Sequence, residues 1–204
     1  MITFLPARNA RGWIVGIADP QAGLALVRDA VSRGQGDGTV LTGITRSDGG
    51  GRAVSVAERL TDLLADPDVL KGTADAQRVM DSQVDVLRRE LELRDDEIVR
   101  LPILVRSPAG SGGGVTVIPS VVNSQYLGDG VLLSPHQHGP VVGGRDVFEA
   151  EVERLLTPHG LKIRWIEDYH HAHAGGGEVH CTTNVFRAVP PQVLRWWTAP
   201  GALR

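Results

Sequence analysis

The most reactive side chain in the sequence is the thiol of Cys181, the only cysteine among 204 residues. It lies in GGGEVHCTTNVFR, residues 175–187, where three glycines precede a run rich in β-branched residues. A deprotonated thiol is a strong nucleophile, and a nearby cation or histidine favours that form. Free cysteine is also a common small core residue, so its base rate favours packing. The polar neighbours Thr182, Thr183 and Asn184 favour the reactive interpretation instead.

Four histidines lie near this cysteine in the sequence: His170, His171, His173 and His180. The run EVHCTTNV is predicted to be a strand, and neighbouring side chains of a strand point to opposite faces. His180 is therefore a poor candidate for the base that activates Cys181. A histidine-rich tract can bind a metal ion, but no HExxH pattern or Cys/His ligand set accompanies these residues. We expect the tract DYHHAHAGGG to be a solvated loop and not a metal site.

The strands and helices that must position these residues alternate along the chain. GWIVGIAD is typical of a buried strand, and Asp19 with Pro20 predicts the helix that follows. A long helix is predicted over residues 74–93, and another is predicted to begin at Asp146. Residues Ser55 to Glu58 fit a capping box, which predicts a further helix start there. Further strand candidates are TVLTGI (39–44), IVRLPILV (98–105), VTVIPSVVN (115–123), VLLS (131–134) and LKIRWIED (161–168). This rhythm predicts a mixed α/β fold.

Composition restricts the class of protein. The hydrophobic share of 42% and the charged share of 22% are ordinary for a globular chain. A net charge of −3 gives no sign of the basic patch that nucleic-acid and membrane-surface partners usually require, so we expect neither partner. No stretch has the roughly 20 apolar residues of a membrane helix. One cysteine forms no internal disulfide, and no signal peptide is visible, so we expect a cytoplasmic protein.

Several motifs in one order resemble the protein-arginine deiminase family. GEVHCTTNV, residues 177–185, followed by Trp196 and Trp197, resembles that family's C-terminal GEVHCGTN signature and its tryptophan pair. Residues 139–169, GPVVGGRDVFEAEVERLLTPHGLKIRWIEDY, resemble the family's GPxxxGR helix-and-strand segment. RELELRDDEIVRLPILV and ITFLPARNARGWIVGIADP resemble two further segments, the second of which follows the family's HVDE motif. The resemblance extends over the whole chain.

This resemblance implies an α/β fold that is a partial pentein, a propeller of ββαβ modules of which residues 1–204 would form the C-terminal portion. It implies hydrolysis of peptidyl-arginine to citrulline and ammonia, with Cys181 as the nucleophile and a thiouronium intermediate. Two carboxylates would hold the guanidinium, and a histidine would protonate the departing ammonia and then activate water. The implied partner is an arginine-containing protein or peptide.

The family's catalytic histidine and aspartates lie in and upstream of HVDE, and the resemblance begins just after that motif. We therefore expect this chain to be truncated at its N-terminus, to need the missing N-terminal part of the same domain, and to be inactive alone. The calcium sites of vertebrate relatives also lie mainly upstream, so the chain itself is expected to hold no cofactor, while calcium is possible in a full-length protein.

Departures from the family pattern affect substrate preference more than chemistry. Thr182 stands where glycine is usual, Gly175 stands where some members have a substrate-binding arginine, and Phe186 replaces a basic residue. Two alternatives remain open at this point. One is a non-catalytic binding or regulatory remnant of a pentein, and the other is a pentein that acts on free guanidino compounds.

Overall fold

The computed structural model describes residues 1–110 and 112–186. The tryptophan pair of the C-terminal signature, Trp196 and Trp197, lies outside the described residues. Within the described ranges the fold is mixed α/β, as the sequence predicts, with two three-stranded sheets and several two-stranded ones.

The first three-stranded sheet has the order β1-β2-β7. Strand β2 (Trp13–Asp19) pairs antiparallel with β1 (Ile2–Pro6) and parallel with β7 (Ile98–Pro102). Helix α1 (Pro20–Ala30) follows β2 directly. A long insertion then precedes β7 and consists of β3 (Thr39–Val40), β4 (Thr45–Ser47), β5 (Ala53–Ser55), β6 (Glu58–Arg59), α2 (Leu60–Ala65) and α3 (Pro67–Leu91).

The second three-stranded sheet repeats this topology with the order β10-β11-β14. It follows the short hairpin of β8 (Val105–Arg106) and β9 (Val115–Thr116). Strand β11 (Val131–Pro135) pairs antiparallel with β10 (Gln125–Gly128) and parallel with β14 (Lys162–Ile166). The hairpin of β12 (Val141–Val142) and β13 (Arg145–Asp146), helix α4 (Val147–Leu156), and the final helix α5 (Val179–Thr182) complete the described elements. Both sheets are thus ββαβ units.

Local capping explains why the two crossover helices begin where the sequence predicts. The carboxylate of Asp19 accepts a hydrogen bond from the Ala22 amide at 2.8 Å, and Pro20 occupies the first turn of α1. The carboxylate of Asp146 accepts from the amides of Phe148 and Glu149 at the start of α4. Each cap satisfies amide groups that the helix leaves without a partner.

The capping box predicted at Ser55 to Glu58 is wrong. Ser55 ends β5 and Glu58 begins β6, and the next helix starts at Leu60. Glu58 instead forms an ion pair with Arg106, 48 residues later in the chain. Because Glu58 binds this distant arginine, its side chain does not act as the helix cap that the local sequence indicates.

Two clusters of buried side chains stabilise the fold. The first joins the sheets, because Val99 and Leu101 of β7 are buried in the same cluster as Val152 and Leu156 of α4. The second packs α1 and α2 against Phe148, which is fully buried. The first cluster fixes how the two ββαβ units sit against each other, and the segments after each unit form the site described next. None of the helices in the described ranges has the length and apolarity that crossing a membrane requires.

Candidate functional site

Cys181 lies on the short helix α5 and not on a strand, which corrects the strand predicted for EVHCTTNV. The thiol is exposed, so the alternative that Cys181 is a small core residue is wrong. The helix is followed by extended backbone at Thr183. Because α5 is a helix, the side chains of His180 and Cys181 are not forced onto opposite faces as they would be on a strand.

The glycines before α5 permit its close packing. Gly176 has φ +84°, a left-handed conformation that glycine adopts readily. A Cβ at Gly177 would lie 3.1 Å from the Cβ of Cys181 and 3.7 Å from its Sγ. The absent side chain at Gly177 therefore leaves room for the cysteine side chain.

Asn123 supplies a hydrogen-bond donor to the sulfur. Its side-chain Nδ2 lies 3.1 Å from the Sγ of Cys181. Asn123 ends a 3-10 turn over Val121–Asn123, which is packed against α5. An N–H donor aimed at sulfur stabilises the thiolate more than the neutral thiol, because a hydrogen bond to a charged acceptor is the stronger one. The contact therefore directs a hydrogen-bond donor at the atom that would attack a substrate.

Glu178 makes a second link between the same two segments. Its side chain is buried, with 4% of the residue exposed. Oε1 accepts a hydrogen bond from the backbone amide of Ser120 at 3.1 Å and lies 3.0 Å from Nδ1 of His173. Because Glu178 immediately precedes α5, these contacts fix the start of the helix that carries Cys181.

Asp168, the first residue of the histidine-rich tract, is buried, with 5% of the residue exposed. Its backbone oxygen accepts hydrogen bonds from the amides of His171, Ala172 and His173. Neither carboxylate oxygen has a hydrogen-bond donor within the described residues. Burial, and secondarily the charge of Glu178, raises the pKa of the Asp168 carboxyl to about 6, although His173 acts in the opposite direction.

The predicted solvated histidine loop is confirmed in part. His170, His171 and His180 are exposed. His173 is an exception because only 10% of its side chain is exposed, and its ring is directed at Glu178. His180 lines a cavity of about 260 Å³ together with Asn123, Ser124 and residues 1–3.

The described residues do not fit a metal site. Across 1–110 and 112–186, no group of three or more His, Cys, Asp or Glu side chains is arranged to hold an ion. No step proposed below uses calcium.

The sequence pointed to Cys181 as a candidate but not to Asn123, nor to the buried carboxyl groups of Asp168 and Glu178. Glu178 stands in the motif that carries the cysteine, so its position was available as a signal. Asn123 lies 58 positions before Cys181 and no spacing rule connects them. Asp168 follows a strand, and a single sequence does not reveal its burial.

Comparison with known proteins matches the chain to one family. The family model described as "Protein-arginine deiminase (PAD)" matches residues 1–198. Protein-arginine deiminase type-4 of Rattus norvegicus is 30% identical over 199 residues, which cover 96% of this chain and 28% of that protein. Type-1 of Homo sapiens is 30% identical over 198 residues, again 96% of this chain and 28% of the relative.

A third relative, protein-arginine deiminase type-3 of Rattus norvegicus, is 31% identical over 196 residues. The chain spans 28% of the length of each of these relatives. The agreement over almost the whole chain confirms the resemblance read from the motifs. This chain belongs to the protein-arginine deiminase family.

Proposed function

We propose that Cys181 is the nucleophile in the hydrolysis of peptidyl-arginine to peptidyl-citrulline and ammonia. The observation that supports this most directly is the exposed Sγ with the Asn123 amide 3.1 Å away, in the segment that carries the family's signature. A buried or unpolarised thiol would suit the reaction poorly.

The chemistry follows from the electrophile. The thiolate of Cys181 attacks the central guanidinium carbon, a C–S bond forms, and one C–N bond breaks as ammonia leaves with a proton from an acid. Water then attacks the thiouronium carbon, losing one proton to the same group acting as base and its second proton to solvent or to the released ammonia. The C–S bond breaks, which returns the thiolate and leaves the urea group of citrulline.

The other catalytic groups are assigned to a further part of the same domain. Two carboxylates that pair with the guanidinium, and the histidine acid, are implied by the family to belong to segments that these motifs do not include. We propose that residues 1–204 supply the nucleophile-bearing, C-terminal part of the catalytic domain and that this part is inactive alone. The modest share of each relative that the chain spans supports this division.

A pentein architecture is part of the proposal. It is supported by two units of identical ββαβ topology, with sheet orders β1-β2-β7 and β10-β11-β14. In both units the first two strands pair antiparallel and the crossover strand joins in parallel. A propeller of such modules would place the segments after each unit around a common centre.

A reducing compartment such as the cytoplasm suits a catalytic cysteine, since it keeps the thiol available for attack. Calcium as a cofactor of the whole protein stays a family expectation to be measured. Adding and chelating calcium during the assay described next supplies that measurement.

The experiment compares the 204-residue chain with the product of the complete open reading frame that contains it. Citrulline and ammonia are measured with an arginine-containing peptide and with free arginine. We expect the complete product to convert the peptide and Cys181→Ser to reduce that rate at least about a thousandfold. Equal rates for parent and Cys181→Ser would remove Cys181 from the mechanism. If the complete product converts free arginine but not the peptide, the substrate is free arginine and not peptidyl-arginine.

A further inference from the structure

A buried acid–histidine–acid group lies beneath α5 and is not used by the chemistry above. It consists of Asp168, His173 and Glu178, all largely shielded from solvent. The Glu178 carboxylate contacts the His173 ring at 3.0 Å, and Asp168 interacts electrostatically with both. Three carboxylate oxygens of this group, both of Asp168 and Oε2 of Glu178, have no hydrogen-bond donor in the described ranges.

Buried carboxylate oxygens that lack a donor among the described residues reduce stability, so such a group requires a reason for its place. Its connections indicate one. Glu178 holds the backbone of Ser120 at 3.1 Å, and Asn123, three residues later, holds the sulfur at 3.1 Å. Both contacts join the Ser120–Asn123 turn to the segment that carries α5. One contact is made by the residue immediately before α5, and the other is made by the thiol.

We propose that Glu178 and His173 are positioning residues for Cys181 and that they set its reactivity through the Ser120–Asn123 turn. This inference rests on the proposed function for its biological meaning, but not for its measurement. Glu178 fixes the turn, and His173 fixes the rotamer of Glu178. The loop that carries His173 is itself held at its start, where the backbone oxygen of residue 168 accepts hydrogen bonds from three of its amides.

Charged groups of both signs surround these residues, and each of them contributes to the electrostatics at Asp168. Asp168 faces Glu178, His173 and the neighbouring Glu167. Tyr169, the next residue, lies near Arg46 and Glu58 of the insertion. Protonation of the Asp168 carboxyl changes the charge beside Glu178, the residue that binds the Ser120 amide.

The test uses the single cysteine of the chain, which makes alkylation specific to one site. The rate of iodoacetamide alkylation is measured between pH 5 and 10 for the parent, Glu178→Gln and His173→Gln. The matched control is His171→Gln, an exposed histidine of the same loop. We expect both buried variants to slow alkylation at pH 7 by about tenfold, because an amide at position 178 or 173 holds its partners less strongly than the charged or ring group it replaces. The control should leave the rate unchanged.

A double-mutant cycle with Asn123→Ala distinguishes an effect transmitted through Asn123 from a general loss of local structure around Cys181. Asn123→Ala removes the donor to sulfur, so Glu178→Gln should have no further effect on the profile in that background. Circular dichroism and urea unfolding confirm that each compared variant is folded. If Glu178→Gln is too unstable to measure, the same cycle is run with His173→Gln.

The inference is overturned if both buried variants alkylate like the parent and His171→Gln, or if their effects simply add to that of Asn123→Ala. Alkylation needs no deiminase activity, so its result is independent of the citrulline assay. The two proposals can therefore fail separately. If the variants change alkylation in a non-additive way but the complete product forms no citrulline, the positioning role stands and the proposed reaction is rejected.

Discussion

The side-chain amide of Asn123 and the thiol of Cys181 meet at 3.1 Å although 58 positions separate them in the chain. One residue ends a 3-10 turn before the second sheet, and the other lies on a four-residue helix after it. The contact exists because the whole second ββαβ unit lies between them and returns the chain to its starting edge. The reactivity of the thiol therefore depends on the folding of an entire unit.

Replacing the Asn123 amide with a charged group of the same shape should make the thiol of Cys181 less reactive. In Asn123→Asp the ionised carboxylate donates no hydrogen bond and places a negative charge beside the sulfur, which opposes the thiolate. We expect alkylation at pH 7 to slow by about tenfold or more and to recover at pH 10, with Asn123→Ala intermediate. The pH dependence of iodoacetamide alkylation measures this. An Asn123→Asp variant that reacts as fast as the parent would show that the amide has no influence on the sulfur.

Adding a methyl group at Gly177 should disturb the helix that carries Cys181. The new Cβ would lie 3.1 Å from the cysteine Cβ, so the helix must shift by a few tenths of an ångström. We expect Gly177→Ala to reduce the free energy of unfolding by about 1 kcal/mol and to slow alkylation. Urea unfolding and alkylation kinetics measure the two effects.

Gly175→Ala is the matched control for that variant. A Cβ at Gly175 meets no atom within 4 Å, so the change should alter the unfolding free energy by less than about 0.5 kcal/mol. Equal effects at the two glycines would mean that the contact with Cys181 is not what Gly177 provides.

The elements that the sequence predicts correctly are those fixed by neighbours in sequence. Asp19 with Pro20 and Asp146 mark helix starts because a cap acts on amides two or three residues away. Met80 and Val84 lie on the buried face of α3 because helical spacing alone places them together. Family membership was readable for the same reason, since the signature around Cys181 is contiguous.

The features that sequence reasoning missed depend on distant partners. EVHCTTNV has the β-branched content of a strand, yet Glu178 binds the Ser120 amide 58 positions away and a helix forms instead. Tertiary contacts of this kind override strand propensity. Glu58 shows the same effect, because its ion pair with Arg106 replaces the predicted capping role. Neither partner can be inferred from spacing in a single sequence.

Gly23 should tolerate no side chain, although alanine is the better helix former. Gly23 is buried in α1, and an added Cβ would overlap the backbone oxygen of Ile103. Backbone atoms cannot rotate away, so we expect Gly23→Ala to reduce the free energy of unfolding by about 3 kcal/mol. The control is Ala25→Gly at an exposed position of the same helix, which should cost about 1 kcal/mol from helix propensity. Urea unfolding compares them, and a Gly23→Ala variant more stable than the parent would contradict this packing.

Asp168 should make stability depend on pH in the direction opposite to a typical ion-paired carboxylate. Its pKa is raised from 3.8 to about 6 in the fold, so the folded chain binds the proton more tightly than the unfolded chain does. The protonated form contributes its full stability below about pH 4, and that contribution is lost as pH rises through 6. Asp168→Asn removes the ionisable group while keeping its shape. The stability of the variant relative to the parent should therefore grow between pH 4 and 6 and then stay constant.

Urea unfolding of both proteins at intervals from pH 4 to 8 measures this difference. Asp85→Asn is the control because Asp85 is a largely exposed carboxylate of α3 that is not among the groups facing Asp168, and its replacement should not produce the rise between pH 4 and 6. A flat difference for Asp168→Asn would mean that Asp168 does not titrate near pH 6. A difference that falls with pH would mean instead that the ionised carboxylate is stabilised in the fold, which would require a donor beside its two oxygens.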